Sequence, residues 1–313
     1  MPYAVAIDIG GTFTAVAAAD GNLSSSAGDR ASVIAIDAYG DPRPDLLILA
    51  DGEGVAYRND GEGAFGRIEN RDGGFGAGLR GAIAADFDND GDADIFSFGS
   101  EGGRLWRNSG KGTYTDVTGD SGLGVTSDLT AAVAADFDND GLMDIYLAGV
   151  EVTARGAASV IKLFRNLGGS VFRDMTAQTG LRAGAAAAAD YDMDGDLDLF
   201  IPGGNRGGVL YRNEIGHRNN WLRVKLTGTR SNAGGMGARV KVRPPDLLPR
   251  TAWLAGASSF PSQSASELIV GLGRSVRADV TVAWPSGIVD YFWDVAGNRS
   301  MTFTEGVQAP ARW

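Results

Sequence analysis

Cysteine is absent from this chain of 313 residues, and histidine occurs once, as His217. No disulfide, thiolate metal site or cysteine nucleophile is therefore available, and one imidazole does not build a histidine-based zinc site or argue for a catalytic triad. Basic residues are also short: 28 Lys and Arg stand against 39 Asp and Glu, and the net charge of −11 argues against nucleic acid as a partner. No apolar run reaches the ~20 residues that cross a bilayer as a helix. The opening stretch MPYAVAIDIGG lacks the basic and apolar regions of a signal peptide, so the sequence as written reads as cytosolic unless its true start lies upstream. Glycine, by contrast, is abundant, at 47 residues against 10 prolines. Without a collagen period, that richness points to many tight turns, as in all-β folds.

The chain repeats itself. Residues 85–94 (ADFDNDGDAD), 135–144 (ADFDNDGLMD) and 189–198 (ADYDMDGDLD) nearly coincide, and a decayed copy, DAYGDPRPD, occupies 37–45. Their first aspartates, Asp37, Asp86, Asp136 and Asp190, step by about 50 residues. An aromatic-Arg-Asn triplet recurs in register at Tyr57-Arg58-Asn59, Trp106-Arg107-Asn108, Phe164-Arg165-Asn166 and Tyr211-Arg212-Asn213. An aromatic-led segment follows it at 65–69, 114–118 and 172–176.

Each unit reads as four short strands. The first is small and apolar and enters the acidic loop (81–85, 131–135, 184–189), and the second leaves it (95–98, 145–147, 199–201). The third carries the Arg-Asn and the fourth is aromatic-led, with Gly- and Asp-rich turns between them. Four strands per roughly 50 residues is the arithmetic of a propeller blade. The alanines of the first strands favour helix by propensity. The β-branched counterpart at 33–36 and the narrowness of an innermost blade strand favour strand. A parallel β-helix is the alternative architecture, but its repeats are shorter.

The loops read D-x-D-x-D-G-x-x-D. A hard cation such as Ca²⁺ takes 6–8 oxygens at roughly 2.3–2.6 Å, which carboxylates at loop positions 1, 3 and 5 can supply around one ion. Glycine at position 6 permits the sharp reversal, position 7 offers a carbonyl and position 9 closes the site. An EF-hand would carry Glu at position 12, where Ser97, Leu147 and Ile201 stand. Fourteen of the 39 acidic residues lie in these three loops, and three Ca²⁺ would bring the net charge from −11 to −5. The loops resemble the FG-GAP/VCBS repeats of integrin α-subunit propellers and their bacterial relatives, over residues 30–215. The resemblance implies an all-β chain with a propeller of about four to five blades, as a whole or a partial ring. It implies calcium ligands Asp86, Asp88, Asp90 and Asp94 with the Asp92 carbonyl; Asp136, Asp138, Asp140 and Asp144 with the Leu142 carbonyl; and Asp190, Asp192, Asp194 and Asp198 with the Asp196 carbonyl. The decayed loop, with Tyr39 at position 3 and Pro42 at position 6, should bind weakly or not at all.

After Asn213 the repeat stops. Asn220-Trp221-Leu222, Ser231-Asn232 with Gly237-Ala238-Arg239-Val240, Gly271-Leu272-Gly273 and Trp284-Pro285-Ser286-Gly287 follow in order. They resemble the ASPIC/UnbV domain that follows such propellers in cartilage-acidic-protein-like proteins, so a small β-sandwich-like domain is expected at 216–313 after propeller repeats at 1–215. Trp284 reads as a buried residue before a tight turn.

The stretch 6–14 (AIDIGGTFT) looks like the first phosphate loop of actin-like ATPases, but no helical period follows it, and Asp8 reads better as a further decayed loop. His217 reads as a surface or hydrogen-bonded residue. Asn22 and Asn298 open N-x-S sequons that matter only in a secreted eukaryotic protein. The expected function is a calcium-stabilised, non-enzymatic module that binds a protein or glycan; the alternative is a propeller-scaffold enzyme of the carbohydrate lyase or hydratase type. The resemblance places such a chain outside the cell, in a periplasm or on a cell surface, and an unclosed ring would favour self-association.

Overall fold

The computed structural model describes residues 5–8, 13–16, 31–41, 43–50, 52–68, 74–154, 156–202, 207–254, 259–260 and 268–307. The described residues are nearly all strand and turn, with very little helix, so the alanines of the repeat did not decide its structure. Helix propensity separates residues by at most ~0.7 kcal/mol each. Burying Ile83 or Val133, each 1% exposed or less, contributes about 2 kcal/mol.

A hairpin of β1 (Val5–Asp8) and β2 (Phe13–Val16) opens the chain, and among the described residues it pairs with no other sheet. Its turn, residues 9–12 with the phosphate-loop-like glycines, lies outside the described residues, as do Asn22 and Pro42. Three antiparallel four-strand units follow. The first comprises β3 (Ala31–Ile36), β4 (Asp45–Ala50), β5 (Glu53–Gly61) and β6 (Ala64–Ile68). The second comprises β7 (Leu79–Ala85), β8 (Asp94–Gly99), β9 (Gly102–Asn108) and β10 (Tyr114–Asp116). The third comprises β11 (Asp128–Ala135), β12 (Asp144–Thr153), β13 (Gly156–Asn166) and β14 (Phe172–Asp174). The hairpin of β12 and β13 runs well past the lengths of its counterparts, with Val152 at its tip 83% exposed. The fourth unit has three strands among the described residues, β15 (Ala187–Ala189), β16 (Asp198–Ile201) and β17 (Val209–Tyr211). Its outer strand is missing because a 3₁₀ turn at Gly216–Arg218 carries the chain directly into the next domain.

The two-residue period of each strand explains the packing. Ala82 and Ile95 of the second blade pack with Ile34, Leu47 and Leu49 of the first, while Ile83, Phe96 and Phe98 face Leu129, Ala132 and Leu147 of the third. Ala131, Val133 and Tyr146 of the third blade in turn meet Ala186, Ala188 and Leu199 of the fourth. Both faces of β7 and β11 are thus largely buried next to the loop, which is where alanine fits, whereas Val33 and Ala35 of β3 are exposed. These are propeller-type blades.

The Arg-Asn motif stitches neighbouring blades together. Asn108 Nδ2 donates to Ala93 O in its own loop and to Ala38 O in the preceding blade's loop, both at 3.1 Å. Asn166 does the same to Met143 O and Phe87 O, and Asn213 to Leu197 O and Phe137 O.

The last part of the chain is a sandwich of two sheets. One has β18 (Asn220–Thr227) between β22 (Leu268–Gly273) and, in parallel, β25 (Arg299–Thr304). The other has the order β20 (Arg250–Trp253), β19 (Arg239–Arg243), β23 (Arg277–Ala283), β24 (Val289–Ala296). Leu222, Val224, Leu272 and Phe303 from the first meet Val240, Val242, Val280 and Val282 from the second around Trp284, which is 1% exposed before a turn at Gly287. Glu305 ties the domain together. Its Oε2 accepts the amides of Thr229, Arg230 and Ser231, and its Oε1 accepts the hydroxyls of Ser231 and Ser286. A short strand, β21 (Ser259–Phe260), leaves the sandwich to pair with β11 along the free edge of the third blade.

Replacing Asn108, 2% exposed, should be costly. Asn108→Ala leaves the Ala93 carbonyl without this donor and removes the side-chain bond to Ala38 O, which keeps the Gly112 amide, and should lower unfolding stability by about 1–3 kcal/mol. Urea unfolding at fixed calcium measures this; a loss under about 0.5 kcal/mol would show that the stitch between blades is not a structural bond.

Candidate metal centres

Each acidic loop is built from aspartates that hold its own backbone. At position 1, Asp86, Asp136 and Asp190 accept from the glycine amides at position 6, Gly91, Gly141 and Gly195, at 2.8–3.0 Å. At position 5, Asp90, Asp140 and Asp194 accept the position-7 amides of Asp92, Leu142 and Asp196. The backbone visits the left-handed region at position 4 (Asn89, Asn139, Met193) and again at the position-6 glycine. Asparagine tolerates that conformation with little strain, and glycine has no Cβ to oppose it.

The ninth position has a separate task. Asp94 accepts Phe87 N (3.0 Å) and Asn108 N (2.8 Å), one on each oxygen. Asp144 accepts Phe137 N and Asn166 N, and Asp198 accepts Tyr191 N and Asn213 N. The decayed loop keeps this arrangement, with Asp45 accepting Ala38 N and Asn59 N. That loop has lost the third-position carboxylate and the glycine but kept the clamp, so position 9 serves the fold in all four copies.

Among the described residues, three groups of carboxylates converge so that one oxygen from each member lies within 4.8 Å of the others: Asp86, Asp88 and Asp90; Asp136, Asp138 and Asp144; Asp190, Asp192 and Asp194. The fifth-position Asp140 stands outside the second triad, and the ninth-position Asp94 and Asp198 stand outside the first and third. In the first two loops the position-1 carboxylate is buried, and its Oδ1 has no hydrogen-bond partner (Asp86, 2% exposed; Asp136, 4%). An unpartnered buried carboxylate oxygen beside two further carboxylates is costly alone and is what a hard cation satisfies. Burial and then the adjacent Asp90 and Asp88 push Asp86 up to about 7. Burial pushes Asp94 up to about 8. Burial and the neighbouring aspartates likewise hold Asp136 and Asp144 well above the usual carboxylate range.

Arginines approach these groups from two sides. Arg165 of the third blade pairs with Asp138 (2.6 Å) and Asp140 (2.9 Å), and Arg212 pairs with Asp192 (3.0 Å) and Asp194 (3.2 Å). From the sandwich, Arg239 donates to Gly91 O at 2.6 Å, Arg250 to Asp140 O at 3.2 Å, and Arg223 to Asp190. Trp253 Nε1 donates to Asp37 of the decayed loop at 3.0 Å. The sandwich therefore sits on the loops themselves, and its sequence motifs are the seats. Trp221 lies over Gly195, where a Cβ would overlap its ring. Gly271 packs so closely on Asp136 and Asn139 that a side chain there would collide, and Gly273 N donates to Asn139 O at 3.0 Å. Asp196, wholly buried, is held by Asn139 Nδ2 and the His217 amide, while the half-exposed His217 ring lies 3.5 Å from it. His217 is thus a hydrogen-bonded junction residue.

Sequence reasoning did not anticipate Asn139, Arg223, Arg239 or Arg250 at these loops. Asn139 carried a signal, since asparagine favours the left-handed turn. The arginines carried only an ambiguous one, because alternation places Arg223 opposite the core-facing Leu222 and Val224 without saying what covers it.

Two protein families match parts of the chain. The FG-GAP-like repeat family matches residues 37–97 and 86–147, and the ASPIC and UnbV family matches residues 228–310. Cartilage acidic protein 1 of Mus musculus is 31% identical over 109 residues, 34% of this chain and 17% of that protein. The Homo sapiens protein is 30% identical over 109 residues, 34% of this chain and 16% of its own length. The matched segment thus spans about a sixth of those relatives. A solved structure of an Agrocybe aegerita lectin that recognises non-reducing terminal N-acetylglucosamine aligns with TM-score 0.45 and 22% identity, covering 66% of this chain and 55% of that one. The chain carries FG-GAP-like repeats followed by an ASPIC and UnbV domain, and over the matched segment it is homologous to cartilage acidic protein 1.

The raised carboxylates fix the sign of a pH effect. A folded-state value above the ordinary 3.8 means that the metal-free protein gains stability from these groups below about pH 4 and loses it as pH rises through about 7 to 8. A cation needs the ionised form and reverses the trend. The calcium-induced rise in melting temperature should be larger at pH 8 than at pH 5.5. Equal shifts at the two pH values would show that the carboxylates are already ionised without metal.

Proposed function

We propose that this chain is a calcium-ordered binding module, in which the blades at 1–215 and the sandwich at 216–313 are held as one surface by cations and arginines at the acidic loops. The observation that carries this reading is the pair of buried, unpartnered oxygens on Asp86 and Asp136, each inside a group of converging carboxylates. Asp86, Asp88 and Asp90 would hold one ion, and Asp136, Asp138 and Asp144 another, with position-7 carbonyls such as those of Asp92 and Leu142 available to complete the oxygen count. The bound ion supplies positive charge that lets these carboxylates ionise while buried.

The ligand is a protein or a glycan met at the exposed surface of this unit. An enzyme built on the same scaffold would need a titratable group poised away from the loops. Every described aspartate or glutamate with a raised pKa lies in one of the four loops, the decayed one included. A cavity of about 590 Å³ beside the third and fourth blades is bordered by two of these, Asp138 and Asp144. Both belong to a loop and are accounted for by metal.

Extracellular calcium loops bind at roughly 10⁻⁴–10⁻³ M, so millimolar calcium should stabilise each occupied site by about 0.4–1.4 kcal/mol. A thermal melt titrated with Ca²⁺ should therefore show a rising midpoint, with a smaller rise for Mg²⁺, which dehydrates reluctantly. Asp138→Ala should remove one site's share of the rise, whereas Asp41→Ala in the decayed loop should change it little. A midpoint indifferent to Ca²⁺, Mg²⁺ and chelator would reduce the loops to polar turns. A protein and glycan array probed with calcium and with chelator then reads the ligand class.

A further inference from the structure

The three loops share a sequence pattern but not an electrostatic state. In the first two, Oδ1 of the position-1 aspartate is buried and has no hydrogen-bond partner. In the third, both oxygens of Asp190 are taken. Oδ1 accepts the Asp194 amide at 3.1 Å, and Oδ2 accepts the Gly195 amide at 2.8 Å together with the Arg223 guanidinium. The ion pair is buried: the Arg223 side chain is 6% exposed and that of Asp190 2%. Arg212 engages the other two carboxylates of the triad, Asp192 and Asp194, much as Arg165 engages Asp138 and Asp140 in the second loop, so the arginine on the position-1 carboxylate is what sets the third loop apart.

The sandwich holds Arg223 in place. The arginine lies in β18 between Leu222 and Val224, which are 0% and 1% exposed in the core, and β18 is hydrogen-bonded on both sides, to β22 and β25. Trp221 seats over Gly195 of the loop, and the Arg223 guanidinium carbon lies 5.8 Å from the Trp221 ring centre. A guanidinium fixed on the position-1 carboxylate puts a positive charge within a few ångströms of where an ion would be held. At such distances two like charges repel strongly in a partly buried setting. In the second loop, by contrast, Arg250 from the sandwich reaches the Asp140 carbonyl and leaves Oδ1 of Asp136 without a partner.

We propose that Arg223 is the resident cation of the third loop, so that calcium enters only the first two and the third serves as a metal-independent lock between blades and sandwich. The proposal rests on the calcium reading of the first two loops. It assigns the third loop, which has the same motif, a different occupant supplied by the chain itself. Asp192 and Asp194 are then partners of Arg212 and not metal ligands.

Calcium stoichiometry of the full chain, measured by equilibrium dialysis with ⁴⁵Ca²⁺ alone as probe, tests this. The wild-type protein should bind about two ions, Asp88→Asn should lose one, and Asp192→Asn should lose none. Arg223→Met, which keeps the volume of the stem and removes the charge, should gain an ion in the third loop, whereas Arg223→Lys should not. Three ions in the wild type, falling to two in Asp192→Asn, would overturn the proposal while leaving the calcium reading intact, as would a folded Arg223→Met with unchanged stoichiometry. No bound calcium in any variant would overturn the calcium reading itself. Should Arg223→Met fail to fold, the wild-type and Asp192→Asn measurements still decide.

Discussion

Every blade depends on one buried aspartate whose two oxygens hold two backbone amides from separate parts of the unit. Asp45, Asp94, Asp144 and Asp198 each fasten the loop's second residue and the asparagine of the Arg-Asn motif. The asparagine, once fixed, reaches back to the preceding blade's loop. The clamp thus sets the loop, the loop sets the asparagine, and the asparagine sets the spacing between blades. Its cost is a carboxylate in a dry place, and burial pushes Asp94 up to about 8 even with two amides bonded to it.

The clamp gathers the remaining aspartates at one edge of the blades, where the sandwich covers them. Burying so many like charges is tolerable only with compensation. The chain uses motif arginines from the blades, arginines from the sandwich and, by our reading, divalent cations where an oxygen is still unpartnered. Closeness matters as much as charge. Gly195 and Gly271 are where blade and sandwich backbones come so near that a Cβ does not fit, which gives both the loop glycine and the Gly-Leu-Gly motif a packing role.

Much of this was legible in the sequence because repetition turned weak signals into strong ones. Three copies of one loop in register with Trp106-Arg107-Asn108 and its counterparts set the blade boundaries to within a few residues. Trp284 before its turn was equally readable, since a bulky residue followed by Pro-Ser-Gly has few other uses. Other features depend on contacts between residues far apart in the chain. Nothing local to Arg223 says that it meets Asp190, 33 residues earlier, and nothing in three near-identical loops reveals that one is filled from within. The doubled task of the ninth aspartate was hidden for another reason: ligand and clamp demand the same residue, and only the decayed loop, which keeps the Asp45 clamp although Tyr39 and Pro42 replace the position-3 carboxylate and the glycine, separates the two.

By our reading, the first two loops hold calcium on the orphaned oxygens of Asp86 and Asp136. Crystals grown in calcium and measured at long wavelength test it most directly, because anomalous peaks locate the ion itself. One peak should lie within roughly 2.3–2.6 Å of the Asp86 carboxylate and another at the same distance from that of Asp136. Density at both positions with water-like distances and no anomalous signal would contradict it.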